Sequence, residues 1–250
     1  MRYAGGTHAA QLGHRSRLIG ITMTYSNEAA AQAPLHLERL QLGPMANFVY
    51  LLVPTQRGRL AVVDPAWDVP ALLARADELG RPLTDIVLTH HHADHRNGVE
   101  GLLERFSLRI HVQRAEKQWL RDAAWLSEVV WHDGGDVIEL GGGATVTCLA
   151  TPGHTPGSQC LLCNDNKILT GDTLFIDGCG RCDLPGGDAG ALFKSLANLR
   201  THLPKSTLVL PGHDYGPVPE ASWEQQEISN PYLQLRVDRD FVDYRLRPRS

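Results

Sequence analysis

The sequence predicts a layered α/β domain, and two observations lead to this prediction. Short apolar runs bounded by Pro, Gly or Asn, which are typical of buried strands, fall into two β-rich halves of the 250-residue chain. Each half also contains segments with the apolar period of a helix. A regular βαβ repeat would alternate single strands with single helices, so this grouping favours stacked layers around a core that 42% hydrophobic residues can fill.

The first half begins with three predicted strands and a helix. Residues Leu35–Gln41 alternate apolar and polar side chains, as a half-buried strand does. The runs NFVYLLVP and RLAVVDP follow as buried strands around a turn near Gln56–Gly58. The next segment has helical periodicity, with Asp68 able to cap its start and Gly80 able to end it.

The chain then passes through a cluster of histidines into the second half. A strand at Ile86–Thr89 precedes the cluster, and a helix at Gly98–Arg105, a strand at Leu108–Val112 and a helical stretch at Ala115–Ala124 follow it. The later runs DVIEL, ATVTCLATPGH, SQCLLCN and NKILTGDTLF are predicted strands, since Gly, Pro or Asn interrupts each one. DAGALFKSLANLRTHL is the clearest amphipathic helix, and TLVLPGH is the last predicted strand.

The composition and the N-terminal residues argue against a nucleic-acid-binding protein, a membrane-spanning protein and a signal peptide. The formal net charge of −4 lacks the basic excess of a nucleic-acid binder, and no run reaches the ~18 apolar residues of a membrane span. The apolar run Leu18–Met23 is shorter than the roughly 7–15 residues of a signal-peptide core. We therefore expect a disordered extension over residues 1–33, or a true start at Met23. The location expected is cytoplasmic, where the five cysteines need form no disulfide.

The strongest chemical signal is the stretch THHHADH at the end of a predicted strand. Read as H-x-H-x-D-H, it supplies His90, His92, Asp94 and His95. Imidazole and carboxylate groups suit zinc, iron and manganese, and a loop at a strand end can turn several of them toward one point. Three later strands each end in a Gly-rich turn that carries one more residue of these types. Those residues are His154, Asp172 and His213.

The order H-x-H-x-D-H, G-H-T, G-D and G-H resembles that of the metallo-β-lactamase fold superfamily, over nearly all of Leu35–Leu235. The resemblance implies a four-layer αββα sandwich with a metal site at one edge, here a single domain over residues 34–250. It also implies two divalent metal ions, with zinc, iron or manganese as candidates. The ligands implied are His90, His92 and His154 for the first metal, Asp94, His95 and His213 for the second, and Asp172 as the bridge.

Two residues close to these motifs are not among the implied ligands. Asp64 ends the strand LAVVD and resembles the acidic residue behind the ligand loop of the superfamily. It is either a hydrogen-bond partner of a ligating histidine or a turn residue. His91 lies between predicted ligands but matches no ligand position.

Within the superfamily, GDTLFIDGCGR, the helix after it and the later PGHDY resemble the glyoxalase II-like group, which includes hydroxyacylglutathione hydrolases and persulfide dioxygenases. The resemblance favours a metal-dependent hydrolase that cleaves a thioester such as a hydroxyacylglutathione. A metal-bridging hydroxide would attack the carbonyl, and Asp94 would be the catalytic residue that ligates and orients it. A thiol with a pKa near 8.5 leaves readily, so no general acid is needed.

Departures from the glyoxalase II pattern leave other functions open. In those enzymes a long helical C-terminal region grips glutathione, whereas here only sixteen residues separate His213 from Asn230, so no such region is expected. Asp183 also replaces a usual aromatic residue. GCGR-x-D instead resembles the persulfide dioxygenases, which use one Fe(II) held by the equivalents of His90, His154 and Asp172. A metallohydrolase of lactones or small esters is a further alternative.

The loop GCGRCD follows the predicted bridging aspartate closely, so it should lie beside the metals. The forked guanidinium of Arg181 is expected to hold a substrate carboxylate or to pair with Asp183. With Tyr215 of the PGHDY stretch, these two residues are the substrate-binding candidates. A zinc knuckle would need a second C-x-x-C pair, and Cys160 and Cys163, which have that spacing, would point to opposite faces of a strand. Nor does the C-x-x-C pair of this loop open a helix, as redox pairs do. The expected partner is a small-molecule substrate, with glutathione-linked compounds as candidates, and neither nucleic acid nor a membrane is expected. A homodimer is compatible with the sequence.

Overall fold

The structure is a computed structural model that describes residues 16–18, 21–23 and 34–247. The strands are β1 (Ser16–Leu18), β2 (Ile21–Met23), β3 (Leu35–Leu42), β4 (Asn47–Pro54), β5 (Leu60–Val63), β6 (Leu83–Val87), β7 (Arg109–Gln113), β8 (Val129–His132), β9 (Val137–Gly141), β10 (Ala144–Ala150), β11 (Gln159–Cys163), β12 (Lys167–Gly171), β13 (Leu174–Phe175), β14 (Gly178–Cys179), β15 (Leu208–Pro211) and β16 (Ala221–Ser222). The α-helices are α1 (Val69–Glu78), α2 (Ala93–Arg96), α3 (Val99–Leu103), α4 (Ala189–His202), α5 (Trp223–Ser229), α6 (Pro231–Gln234) and α7 (Asp238–Arg245).

Two six-stranded sheets form the centre of the domain. The first has the order β3-β4-β5-β6-β7-β8, antiparallel from β3 to β5 and parallel from β5 to β8. The second has the order β16-β15-β12-β11-β10-β9, in which only β12 and β15 pair in parallel, because α4 connects them as a crossover. The strand ends that carry the predicted ligands therefore meet at one edge.

Three hydrophobic clusters separate four layers. Ile86 of β6 packs with Leu72 of α1 in one outer cluster. Its neighbour Val87, on the opposite face of the same strand, packs with Leu161 of β11 between the two sheets. Leu196 of α4 belongs to the third cluster, on the outer face of the second sheet. The order helix, sheet, sheet, helix confirms the predicted αββα sandwich.

Local sequence signals account for many element boundaries, but one expected helix does not form. Asp68 caps α1 by accepting a hydrogen bond from the Ala71 amide at 3.0 Å, and Gly80 follows the helix at φ +62°. The helix expected over Ala115–Ala124 is wrong, since only a 3-10 turn at Arg114–Glu116 forms there. The side chain of Glu116 is fully buried and bonded to His91 in one loop and to Thr155 and Gly157 in another, which pulls this segment out of a helical path.

The five cysteines are buried, and no disulfide forms in the part of the chain that the structure describes. Cys160 packs on the helix side of the second sheet and Cys163 between the sheets, as opposite faces of a strand require. Cys179 and Cys182 both lie in the helix-side cluster. Neither C-x-x-C pair therefore forms a disulfide.

The N-terminal segment is described only in part. β1 and β2 pair as antiparallel strands, and the remainder of residues 1–33 lies outside the described residues. For that remainder the disordered extension stays a prediction. Within residues 16–18, 21–23 and 34–247, no helix combines the length and apolar character needed to cross a membrane.

Candidate metal centre

The seven side chains that the sequence singles out as metal ligands converge at one edge of the two sheets. They lie on the segments that follow β6, β10, β12 and β15, and two of them, Asp94 and His95, belong to α2. Most of them are buried, so their polar atoms have few alternatives to one another. They form two groups that share one carboxylate.

The first group consists of three imidazoles. His92 Nδ1 lies 3.0 Å from His90 Nε2 and 2.9 Å from His154 Nε2. The three nitrogens thus face a common point, which is the donor set that a cation such as Zn²⁺ takes from protein.

The second group combines two imidazoles with a carboxylate. His95 Nε2 and His213 Nε2 are 3.0 Å apart, and Asp94 Oδ2 lies 3.4 Å from each of them. These atoms also surround one point. A carboxylate in the set adds a negative charge that the first group lacks.

Asp172 lies between the two groups. Its Oδ2 is 3.5 Å from His154 Nε2 in the first group, whereas its Oδ1 is 3.3 Å from His95 Nε2 and 3.4 Å from His213 Nε2 in the second. Oδ1 is buried and makes no hydrogen bond to any described residue. A buried carboxylate oxygen without a hydrogen bond is rare in folded proteins, and it fits a site built for cations.

Hydrogen bonds orient the imidazoles. His154 Nδ1 donates to the Arg181 carbonyl at 2.7 Å, and His213 Nδ1 donates to the Met45 carbonyl at 2.9 Å. In each ring the proton is thereby kept on Nδ1, and Nε2 is left as a lone-pair donor toward the centre.

Asp64 holds a third imidazole in the same way. Its Oδ2 lies 3.0 Å from His95 Nδ1 and accepts from the Thr89 hydroxyl at 2.6 Å, while its Oδ1 accepts from the Thr89 amide at 2.7 Å. Of the two interpretations of Asp64, the geometry matches the hydrogen-bond partner of His95, whose role as a ligand stays a prediction. Its backbone has φ +51°, a region that aspartate tolerates better than most residues.

The electrostatics of the first group favour neutral imidazoles. Burial, reinforced by the neighbouring rings, lowers the pKa of His92 to about 4. Burial likewise lowers the pKa of His90 well below its ordinary value, and the pKa of His154 is lowered by the same cause. Neutral imidazole is the form that binds a cation, so this group is ready for one near neutral pH.

The second group behaves as a set of ion pairs. Burial acts to lower the pKa of His95, but the negative charge of Asp172 outweighs it and holds that pKa well above its ordinary value. Burial raises the pKa of both carboxyl groups, yet His95 and His213 outweigh it and keep the pKa of Asp94 and of Asp172 well below the usual range. A bound cation would replace the protons on the imidazoles of His95 and His213.

A cavity of about 680 Å³ opens over the centre, with Met45, Phe175 and Tyr215 among its lining residues. Tyr215 stacks on His213, with ring centroids 4.5 Å apart and planes 13° apart. Its position over a predicted ligand is compatible with substrate contact, which stays a prediction.

The GCGRCD loop forms part of the mouth of this cavity. Arg181 lines the cavity, and its Nε and Nη2 each donate to the Asp183 carboxylate at 2.8 Å. Both side chains are more than half exposed, at 55% and 54%, so this pair can exchange with solvent or a ligand. The pairing with Asp183 is thus one of the two arrangements expected of Arg181.

Two charged residues at the site were not singled out by the sequence. Arg245 of α7 lines the cavity, and its Nε donates to the Gly180 carbonyl at 2.7 Å. Glu116 pairs with His91 Nδ1 and accepts hydrogen bonds at 2.6 Å from the Thr155 hydroxyl and the Gly157 amide. His91 therefore connects two ligand loops instead of facing the centre. Both contacts join residues far apart in the chain, so no local motif signals them.

Comparison with known proteins identifies the family to which this chain belongs. The profile of the Metallo-beta-lactamase superfamily matches residues 42–213. This chain belongs to the metallo-beta-lactamase superfamily. The matched segment contains β4 to β15 and all the residues of the two ligand groups.

Relatives of known description indicate to which group of the superfamily this chain is similar. The probable polyketide biosynthesis zinc-dependent hydrolase BaeB of Bacillus velezensis is 31% identical over 202 residues, which cover 81% of this chain and 88% of BaeB. Mitochondrial persulfide dioxygenase ETHE1 of Bos taurus is 34% identical over 220 residues, covering 87% of this chain and 83% of ETHE1. A hydroxyacylglutathione hydrolase of Nitrosococcus oceani is 33% identical over 171 residues, covering 68% of this chain and 62% of that protein. These relatives are enzymes, and they confirm the resemblance to the glyoxalase II-like group.

Proposed function

We propose that this member of the superfamily is a thioester hydrolase of the hydroxyacylglutathione hydrolase type that uses two divalent cations. The observation that carries the proposal is the carboxylate of Asp172, whose two oxygens face two separate donor groups. A mononuclear site would need only one of these groups. The second group would then leave buried ion pairs without a function, at a cost in desolvation.

The residues that would hold the cations follow from the two groups. Divalent cations held by these residues would supply Lewis acidity, which lowers the pKa of a bound water toward neutrality and polarises a carbonyl under attack. The ligands we assign are His90, His92 and His154 for the first cation, Asp94, His95 and His213 for the second, and Asp172 for both. The imidazole-rich sets favour zinc, with iron or manganese as substitutes.

The residues of the cavity support a substrate with a flexible, partly charged leaving group. Tyr215, above His213, offers an aromatic surface to a substrate at the centre. Arg245 makes no ion pair within the described part of the chain and is 9% exposed, so it can attract a substrate carboxylate. Asp94 orients the attacking group, and a thiolate leaves without a proton donor.

A second candidate function is a persulfide dioxygenase that uses one Fe(II) at His90, His154 and Asp172. The coverage of the relatives favours it, because this chain spans 83% of ETHE1 but 62% of the hydroxyacylglutathione hydrolase. Two imidazoles and a carboxylate are the set that non-haem iron oxygenases use. The same cavity would then admit a glutathione persulfide.

Metal analysis combined with two assays distinguishes the candidates. The purified protein is assayed for bound metal, for hydrolysis of a hydroxyacylglutathione and for O₂ consumption with glutathione persulfide. Two equivalents of metal with thioester cleavage support the hydrolase, whereas one iron with O₂ consumption would overturn it.

Paired alanine variants sharpen this experiment. His92→Ala alters only the first group and His213→Ala only the second, so each should remove about one equivalent and abolish hydrolysis. A His213→Ala variant that keeps full activity and metal content would support the mononuclear alternative.

A further inference from the structure

Behind Asp94 lies an asparagine whose backbone is tied to the second sheet. Asn47 is 1% exposed and begins β4. Its backbone forms a β-bridge with His213, and the next amide, of Phe48, donates to the Gly212 carbonyl at 2.8 Å. The position of Asn47 is therefore set by both halves of the site.

The hydrogen bonds of Asn47 define the orientation of its amide. Trp67 Nε1 donates to Asn47 Oδ1 at 2.7 Å. An indole N–H can only donate, so the oxygen of the amide must face Trp67 and the NH₂ group must face the other way. That NH₂ group donates to the Asp94 carbonyl at 3.0 Å and to Asp94 Oδ2 at 3.2 Å.

Trp67 itself is held in an unusual conformation. Its backbone has φ +62°, a region that bulky residues rarely adopt, and its amide donates to Asn97 Oδ1 at 2.7 Å. The indole packs against Gly43, where an added Cβ would lie 2.2 Å from the ring. Strain of this kind persists only where the surroundings determine the conformation, and it is concentrated at functional sites.

We propose that Trp67 is a positioning residue for the second cation group. Through Asn47 it holds the carboxylate of Asp94 in the rotamer that faces His95 and His213. Without the indole N–H, Asn47 Oδ1 loses its donor and only the contacts with Asp94 hold the amide. A flipped amide would present its oxygen to Asp94, where two acceptors repel each other. The inference rests on the proposed function insofar as Asp94 binds a cation.

The test uses one tryptophan variant and a matched control. Trp67→Phe removes the indole N–H and keeps an aromatic ring against Gly43. Trp119→Phe makes the same change at a tryptophan that stacks on His91, and whose buried Nε1 donates to no described acceptor. Metal-free protein is titrated with Zn²⁺ by calorimetry, and the two binding steps are compared among wild type and both variants.

We expect Trp67→Phe to weaken the second binding step about tenfold and to leave the first unchanged, as expected when an outer hydrogen bond is lost. Trp119→Phe should leave both steps unchanged. Asn47→Leu removes the amide at similar volume and should weaken the second step by about 10–100-fold. Adding Trp67→Phe to Asn47→Leu should have no further effect, because the indole then has no amide to orient.

A direct readout separates failure of this inference from failure of the proposed function. In isotopically labelled, metal-free protein, the side-chain amide resonances of Asn47 should shift in Trp67→Phe and stay in place in Trp119→Phe. Resonances that do not move, or equal weakening in both variants, would overturn the positioning role. A wild-type chain that binds one equivalent contradicts the dinuclear proposal, and Trp67 then loses its assigned effect on the second step.

Discussion

Replacing Asp64 with asparagine tests how the hydrogen bonds around the centre control cation binding. Asparagine tolerates the φ of +51° at this position and has nearly the same shape, so the backbone strain is unchanged. It keeps one acceptor for the Thr89 amide but places an NH₂ group against His95 Nδ1. That contact favours the tautomer of His95 with its proton on Nε2, where the cation has to bind.

The size of the effect follows from these contacts. Outer hydrogen bonds of this type contribute about 10–100-fold to metal affinity, which is about 1.4–2.8 kcal/mol. Loss of a hydrogen bond to a charged acceptor also lowers the free energy of unfolding of the metal-free protein by about 2 kcal/mol. For a domain of this size that corresponds to a fall of about 4–8 °C in the thermal midpoint.

Zn²⁺ titration and thermal unfolding of the metal-free protein measure the two quantities. Asp68→Asn is the matched control, because asparagine caps a helix as well as aspartate does and Asp68 lies at the start of α1. The control should change neither quantity. An Asp64→Asn variant that binds the second equivalent with wild-type affinity would refute the reasoning about the His95 tautomer.

Three other predictions concern the surroundings of the centre. Glu116→Ala leaves the buried Gly157 amide without an acceptor and should lower the free energy of unfolding by about 1–3 kcal/mol, measured by urea denaturation. Arg181→Ala should raise KM about tenfold for a carboxylate-bearing thioester and leave kcat unchanged, if its guanidinium exchanges Asp183 for the substrate carboxylate. An unchanged KM would mean that the arginine serves only Asp183. Burial raises the pKa of Cys148 and Cys182 to about 12 and that of Cys160 to about 11, so these thiols keep their protons when folded and lose them when unfolded above pH ~9. The free energy of unfolding should therefore fall as pH rises from about 9, and the native thiols should not react with a thiol reagent at pH 8.

Much of the fold and of the candidate ligand set could be predicted because the signals are local. Leu35–Leu42 alternates along β3, and Asp68 caps α1 within one helical turn. The H-x-H-x-D-H stretch brings ligand types together over a few residues. A strand end and a Gly-rich turn then suffice to indicate where each residue lies relative to the sheet.

The features that the sequence analysis predicted wrongly or did not predict depend on contacts between distant segments. The helix expected at Ala115–Ala124 does not form, because Glu116 is bonded to the loop around Thr155. Periodicity in a single segment contains no information about such a partner. A buried acceptor shared by two loops can override helix propensity, since burying it unpaired would cost about 1–3 kcal/mol.

The sequence by itself determined the layered α/β class, the position of most strands and helices, and the residue types at each ligand station. Only the tertiary structure decided that Asp172 faces both groups, that Asp64 bonds His95, and that Trp67 orients Asn47. The physical reason is the range of the forces involved. Strand alternation and helix caps depend on neighbours in the chain, whereas hydrogen bonds depend on distances and angles that are set only when remote segments pack.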